Sequence, residues 1–165
     1  MSTNSTTLER TSDRELIITR TFRASASAVF QAWTEPEYVK RWWAPRSRGV
    51  SVAECTARVE PGGNYRYVLA LPNGEQIAFS GKYIEIQAPT RLVYTQRFEA
   101  VPAGEALLTV LFEEQSGLTR MVSREVYPSK EALEMALTSG MEDGMRETFD
   151  QLDMLLSSAA SAPAA

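Results

Sequence analysis

Four tyrosines and one glutamate are the residues whose types and spacing invite chemistry. Tyr65 and Tyr67 alternate within the run YRY, and Tyr83 and Tyr94 lie in two later runs rich in apolar residues. Alternate positions of a strand share one face, so all four side chains can point inward. A buried phenol needs a partner for its hydroxyl. In a cavity such hydroxyls would orient a mostly apolar guest; in a plain sheet core they would reach the rim instead. Glu85 follows Phe79, Gly81 and Tyr83 at a period of two, which predicts the same inward face. A buried carboxylate must be paired, hydrogen-bonded or protonated, and a general acid or base would look like this. A bulge near Ile84 would instead turn Glu85 to solvent, and Ile84 and Ile86 point that way.

Other candidate walls lie on helices. Val29, Phe30 and Trp33 fall on one helical face. Trp42 and Trp43 follow a second short helix near where a cavity mouth would fall; Trp42 reads as a core plug, and Trp43 either as a lid or stacking wall or as a half-exposed ring. Met121, Met141 and Met145 offer soft, adaptable walls and are equally ordinary core filler. Gly140 and Gly144 sit four apart in a helical pattern, where each glycine costs about 1 kcal/mol relative to alanine. Their missing side chains either open space for a ligand or permit close packing on the sheet. The candidate ligand-binding set is therefore Trp33, Trp43, Tyr65, Tyr67, Phe79, Tyr83, Tyr94, Val110, Met121, Met141, Gly144 and Met145. Glu85 is the sole catalytic candidate. Cys55 alternates with Ala53 and Ala57 and reads as a small core residue, with nothing nearby in sequence to lower its pKa.

The chain of 165 residues contains no histidine and one cysteine. Histidine-dependent triads, histidine zinc sites and thiolate clusters are therefore excluded, and neither a metal nor a cofactor is expected. A net charge of −4 argues against sequence-independent nucleic-acid binding, which needs a basic face. The N-terminus lacks the apolar run of a secretory signal, and no stretch approaches the ~18 apolar residues of a membrane span. With no disulfide available, the reading is a cytoplasmic protein with no membrane association.

The elements that must position these residues follow from periodicity. A strand is expected over 15–23, then a helix capped by Ser25 or Ser27 and ended by Pro36, then a short helix over 36–43. From Val50 to Tyr127 the sequence reads as six strands, with PNGE at 72–75 as a hairpin signal. After Pro128 a helix is expected from Ser129 to about Leu156, burying Leu133, Leu137, Met141, Met145, Thr148, Leu152 and Leu155. Residues 1–13 and 158–165 read as disordered tails flanking a single domain over 14–157. The fold class is α+β: a curved antiparallel sheet of about seven strands around one long C-terminal helix, with two short helices after the first strand.

RWWAP at 41–45, EPGGNYRY at 60–67, PNGEQIAFSGKYIEI at 72–86, RLVYT at 91–95 and GMEDGMRETFDQL at 140–152 occur in this order. Together they resemble the activator-of-heat-shock-protein-90-ATPase-like family of the START-like (SRPBCC) superfamily. The resemblance spans about 15–157 and implies a helix-grip fold with a hydrophobic cavity. Superfamily relatives bind lipids, sterols, hormones or polyketides, and a few catalyse cyclisations. Where many relatives carry an acidic and then a basic residue before the double glycine, this chain has Arg58 and then Glu60.

Three functions follow as expectations. The first is binding of a small apolar or amphipathic molecule between sheet and helix. The second is an interaction module, including a co-chaperone role toward a chaperone partner, with an exposed sheet edge on which a homodimer could form. The third is a cyclase- or hydrolase-like enzyme using Glu85 and tyrosines. With no histidine and at most one inward acid, the interior reads as a place to hold a molecule rather than to transform it.

Overall fold

The computed structural model describes residues 6–161. Eight strands form one antiparallel sheet: β1 (Thr7–Arg10), β2 (Glu15–Phe22), β3 (Ser51–Ala57), β4 (Asn64–Ala70), β5 (Gln76–Gln87), β6 (Arg91–Phe98), β7 (Ala106–Gln115) and β8 (Leu118–Val126). Their spatial order is β1-β2-β8-β7-β6-β5-β4-β3. The segment after β2 therefore crosses the width of the sheet to the far edge, and the chain returns strand by strand until β8 closes on β2. That crossing carries α1 (Ala26–Thr34) and α2 (Pro36–Trp42). Ser25 caps α1 by accepting the Ala28 N–H at 3.2 Å. Pro36 disfavours helical backbone at Glu35, which is extended, and itself opens α2.

The expected single helix from Ser129 is two helices, α3 (Lys130–Thr138) and α4 (Met141–Ser161). Ser129 caps α3 as its position predicts, accepting the Ala132 N–H at 3.0 Å. Gly140 then adopts φ +86°, a left-handed conformation that stops a helix and that glycine tolerates best. The uninterrupted apolar stripe concealed this break, because a chain that restarts one turn later keeps the same face buried. Phe149, Leu152 and Leu156 of α4 are buried. Phe149 packs its ring on Phe22, Trp33 and Trp42 at centroid distances of 6.1, 5.6 and 6.1 Å.

An ion-pair network ties α4 to β2. The buried Arg20 guanidinium meets Asp150 at 2.7 Å and Asp153 at 3.9 Å, and donates to the Thr6 hydroxyl at 3.0 Å. Arg23 adds a contact to Asp153 at 3.3 Å.

The expected N-terminal tail is corrected in part. Residues 7–10 form β1, paired with β2 from Thr7↔Thr19 to Arg10↔Leu16, and Leu8 packs against the core. Ser and Thr content suggested disorder, but β2 would otherwise present an unpaired edge. At the other end α4 continues to Ser161; residues 1–5 and 162–165 of the expected tails lie outside the described residues. No helix among the described residues is long and apolar enough to cross a membrane.

Candidate ligand site

Strand alternation brings the four tyrosines together. Tyr65 and Tyr67 occupy inward positions of β4, Tyr83 of β5 and Tyr94 of β6, and all four are buried. Tyr83 lies opposite Tyr94 in register. Tyr65 is the hub, with ring centroids 5.0 Å from Tyr67, 5.4 Å from Tyr83 and 5.8 Å from Tyr94. The Tyr65 hydroxyl donates to the Thr95 carbonyl at 2.6 Å and lies 3.3 Å from the Gln96 amide oxygen. Trp33 Nε1 donates to the Tyr94 hydroxyl at 3.4 Å.

Around these rings is an interior cavity of about 10 Å³, lined by Trp33, Trp43, Tyr65, Tyr67, Tyr83, Leu92, Tyr94 and Gln96. That is room for about one water molecule. The roomy hydrophobic cavity implied by the resemblance is therefore not open in this conformation, because the aromatic side chains fill it.

Burial determines what the phenols can do. It pushes Tyr65, Tyr67 and Tyr94 well above the ordinary tyrosine range, and Tyr83 up to about 12. All four hydroxyls stay protonated at neutral pH, so they offer hydrogen bonds and no phenolate base or nucleophile.

Trp43 closes one side. Half-buried, it packs edge-on against Tyr67 at 4.9 Å and Phe79 at 5.1 Å. The segment that follows it, including a 3₁₀ turn at Arg46–Arg48, is tethered to α4 by side-chain hydrogen bonds. Gln151 donates to the carbonyls of Trp42 at 2.9 Å and Ala44 at 2.8 Å, and accepts from the Arg46 N–H at 3.0 Å. Glu147 accepts from the N–H and the hydroxyl of Ser47, each at 2.7 Å; these bonds hold its carboxyl below the usual range. Nothing in the spacing of Glu147 along the helix marks it as a tether.

Six of the expected ligand-binding residues thus line one cavity: Trp33, Trp43, Tyr65, Tyr67, Tyr83 and Tyr94. Phe79 supports the wall, stacked on Phe98 at 5.2 Å. Val110 and Met121 are fully buried in the core away from the cavity lining. Met141 and Met145 are half-buried against the core, with the Met141 sulfur 3.9 Å from the Tyr127 hydroxyl. Gly144 does not face the sheet: a Cβ there would sit 4.0 Å from Arg48 Nη1, and one at Gly140 3.8 Å from the same atom. Leu92 and Gln96 complete the lining, and alternation from Tyr94 would have found both.

The profile of one family, described as activator of Hsp90 ATPase homolog 1-like protein, matches residues 23–157. The chain belongs to that family. Solved structures agree with this placement within the SRPBCC-like proteins. A Rhodobacter sphaeroides protein is 26% identical, covers 93% of this chain and 99% of its own, and superposes with a TM-score of 0.86. A Staphylococcus epidermidis protein is 28% identical over 96% of this chain and 98% of its own, with a TM-score of 0.76. A Mycobacterium smegmatis protein is 26% identical over 92% and 96%, with a TM-score of 0.80. No curated protein matches the chain. The fold is known for binding hydrophobic ligands.

In this family member the expected inward acid is corrected. The register shifts between Tyr83 and Glu85, so the bulge leaves Ile84 exposed and turns Glu85 out. Its carboxylate meets Arg91 at 3.3 Å and the Gln87 amide at 2.8 Å, and no tyrosine hydroxyl among the described residues. The inward carboxylate is Glu125. It continues the alternation of Thr119, Met121 and Ser123 on β8 and lies opposite Leu16 and Leu108, both buried. The Tyr127 hydroxyl donates to it at 2.9 Å. Burial raises its pKa and the Tyr127 bond partly opposes the rise. Strand phase alone would have found it, since Arg120 and Arg124 mark the outward positions.

Proposed function

We propose that the protein binds a small hydrophobic or amphipathic molecule between the sheet and α4, with Trp43 and the segment after it moving aside to admit it. The observation that carries this reading is the gathering of four buried tyrosine rings, each with a protonated hydroxyl, around one small cavity of the core walled by Trp33, Trp43 and Leu92. A core that only had to be stable would favour aliphatic side chains there, since buried hydroxyls need partners. An amphipathic guest supplies apolar surface to the rings and a polar group to the hydroxyls.

The closing segment suits such a role. Its tethers to Glu147 and Gln151 are hydrogen bonds at exposed or half-exposed positions, a kind of contact that opens at low cost compared with a buried apolar interface. Native mass spectrometry and thermal melts with the neutral amphipathic probe N-phenyl-1-naphthylamine test the reading. Saturable binding of one probe per chain is expected, with stabilisation of about 2.7 kcal/mol at a hundredfold excess over Kd. No retained probe and an unchanged melting temperature would overturn it.

A further inference from the structure

The outer face of the sheet carries a second cavity, a groove of about 420 Å³, which lies in the size range of small-molecule sites. Its floor is built in register. Thr56, Arg66, Ser80 and Arg97 form one cross-strand row over β3, β4, β5 and β6, and Asn64 lies opposite Lys82 in another. Glu99 and Glu105, at either end of the β6–β7 connection, close one side.

The charges in this groove are unevenly matched. Arg66 holds Glu99 with two bonds of 2.9 and 3.0 Å, and Arg97 acts on the same carboxylate from farther away. Arg97 gives its Nε to the Ser80 hydroxyl at 3.4 Å, while neither its guanidinium nor Lys82 makes an ion pair among the described residues. The two cations outnumber the remaining Glu105, in a chain whose net charge is −4. Between them the sheet is open: Lys82 N–H bonds the Thr95 hydroxyl at 3.0 Å instead of a carbonyl. Asn64, Ser80 and Thr95 add neutral hydrogen-bonding groups to the same floor.

We propose that this groove is a binding site for a small organic anion, its carboxylate or phosphate held between Lys82 and Arg97. A guanidinium and an ammonium on one concave surface suit such a group, the first by its planar fork and the second as a point charge. The site lies on the opposite face of the sheet from the interior one and stands whether or not the interior takes a ligand.

The test is a titration of backbone amide shifts in the full chain, at constant ionic strength to hold screening fixed, with inorganic phosphate in one arm and benzoate in the other. Saturable shifts are expected at Gly81, Lys82, Thr95 and Arg97, and the arm that saturates at lower concentration identifies the headgroup. Lys82→Ala with Arg97→Ala should weaken binding at least tenfold. Glu105→Gln should tighten it two- to threefold by removing the facing negative charge. Absence of saturation in both arms would overturn the proposal, as would equal binding by the folded double variant.

Discussion

The Tyr65 hydroxyl donates to the Thr95 carbonyl at 2.6 Å, where a rung of the β5–β6 ladder belongs. Register is kept on either side, at Ser80↔Arg97 and Tyr83↔Tyr94. Between them two hydroxyls, of Tyr65 and Thr95, replace backbone partners. Gly81 permits this, because a Cβ there would lie 1.8 Å from the Thr95 oxygen. Tyr65→Phe should therefore destabilise the protein by about 1–2 kcal/mol, the cost of an unpaired carbonyl, and Gly81→Ala by more. Urea unfolding measures both, and a Tyr65→Phe variant as stable as the parent would show the rung is not held this way.

Glu125 makes stability depend on pH in a particular direction. Burial raises its folded-state pKa above the usual carboxylate range, so the folded state resists losing the proton. The stability this group contributes is fully present below about pH 4.5 and is lost as pH rises through the folded pKa. Glu125→Gln keeps an acceptor for Tyr127 and removes the titration. Its melting temperature should exceed that of the parent at pH 7, and the gap should close toward pH 4. A gap independent of pH would contradict this assignment.

The two aspartates that face Arg20 should behave differently when altered. Asp150 is mostly exposed, whereas Asp153 is largely buried. Asp150→Asn should cost under about 1 kcal/mol, as surface pairs do. Arg20→Met should cost about 3 kcal/mol, because it removes the buried guanidinium that joins both aspartates and leaves the largely buried Asp153 with Arg23, a more exposed cation. Equal losses would indicate that the network acts through the exposed pair.

Cys55 should be a poor nucleophile. Burial pushes its thiol up to about 11, so at pH 8 only a small fraction is thiolate. Alkylation by iodoacetamide in the folded protein should run at least tenfold slower than in urea, and equal rates would contradict the burial.

Much of this architecture is legible in the residues. Alternation in YRY, in RLVYT and in LTRMVS places the tyrosines and the strands, and Pro36 and Ser129 mark helix boundaries by their own chemistry. What the chain conceals lies outside its periodic patterns. The bulge to which Ile84 and Ile86 point reverses the phase of Glu85, and alternation alone does not choose between the two phases. Gly140 ends α3 through a backbone angle that an uninterrupted apolar stripe does not record. The tethers from Glu147 and Gln151 reach across 100 residues or more, beyond any periodic pattern. The volume of the interior depends on how the rings pack, which no spacing specifies.

On the proposed binding mode, the interior opens by release of the segment after Trp43. Stopped-flow fluorescence of N-phenyl-1-naphthylamine, comparing the parent with Glu147→Ala/Gln151→Ala, tests it most directly. Saturable uptake by both proteins is expected, with the double variant taking up probe several-fold faster while Trp43 is quenched. Probe binding absent from both folded proteins, or uptake at the same rate in both, would contradict it.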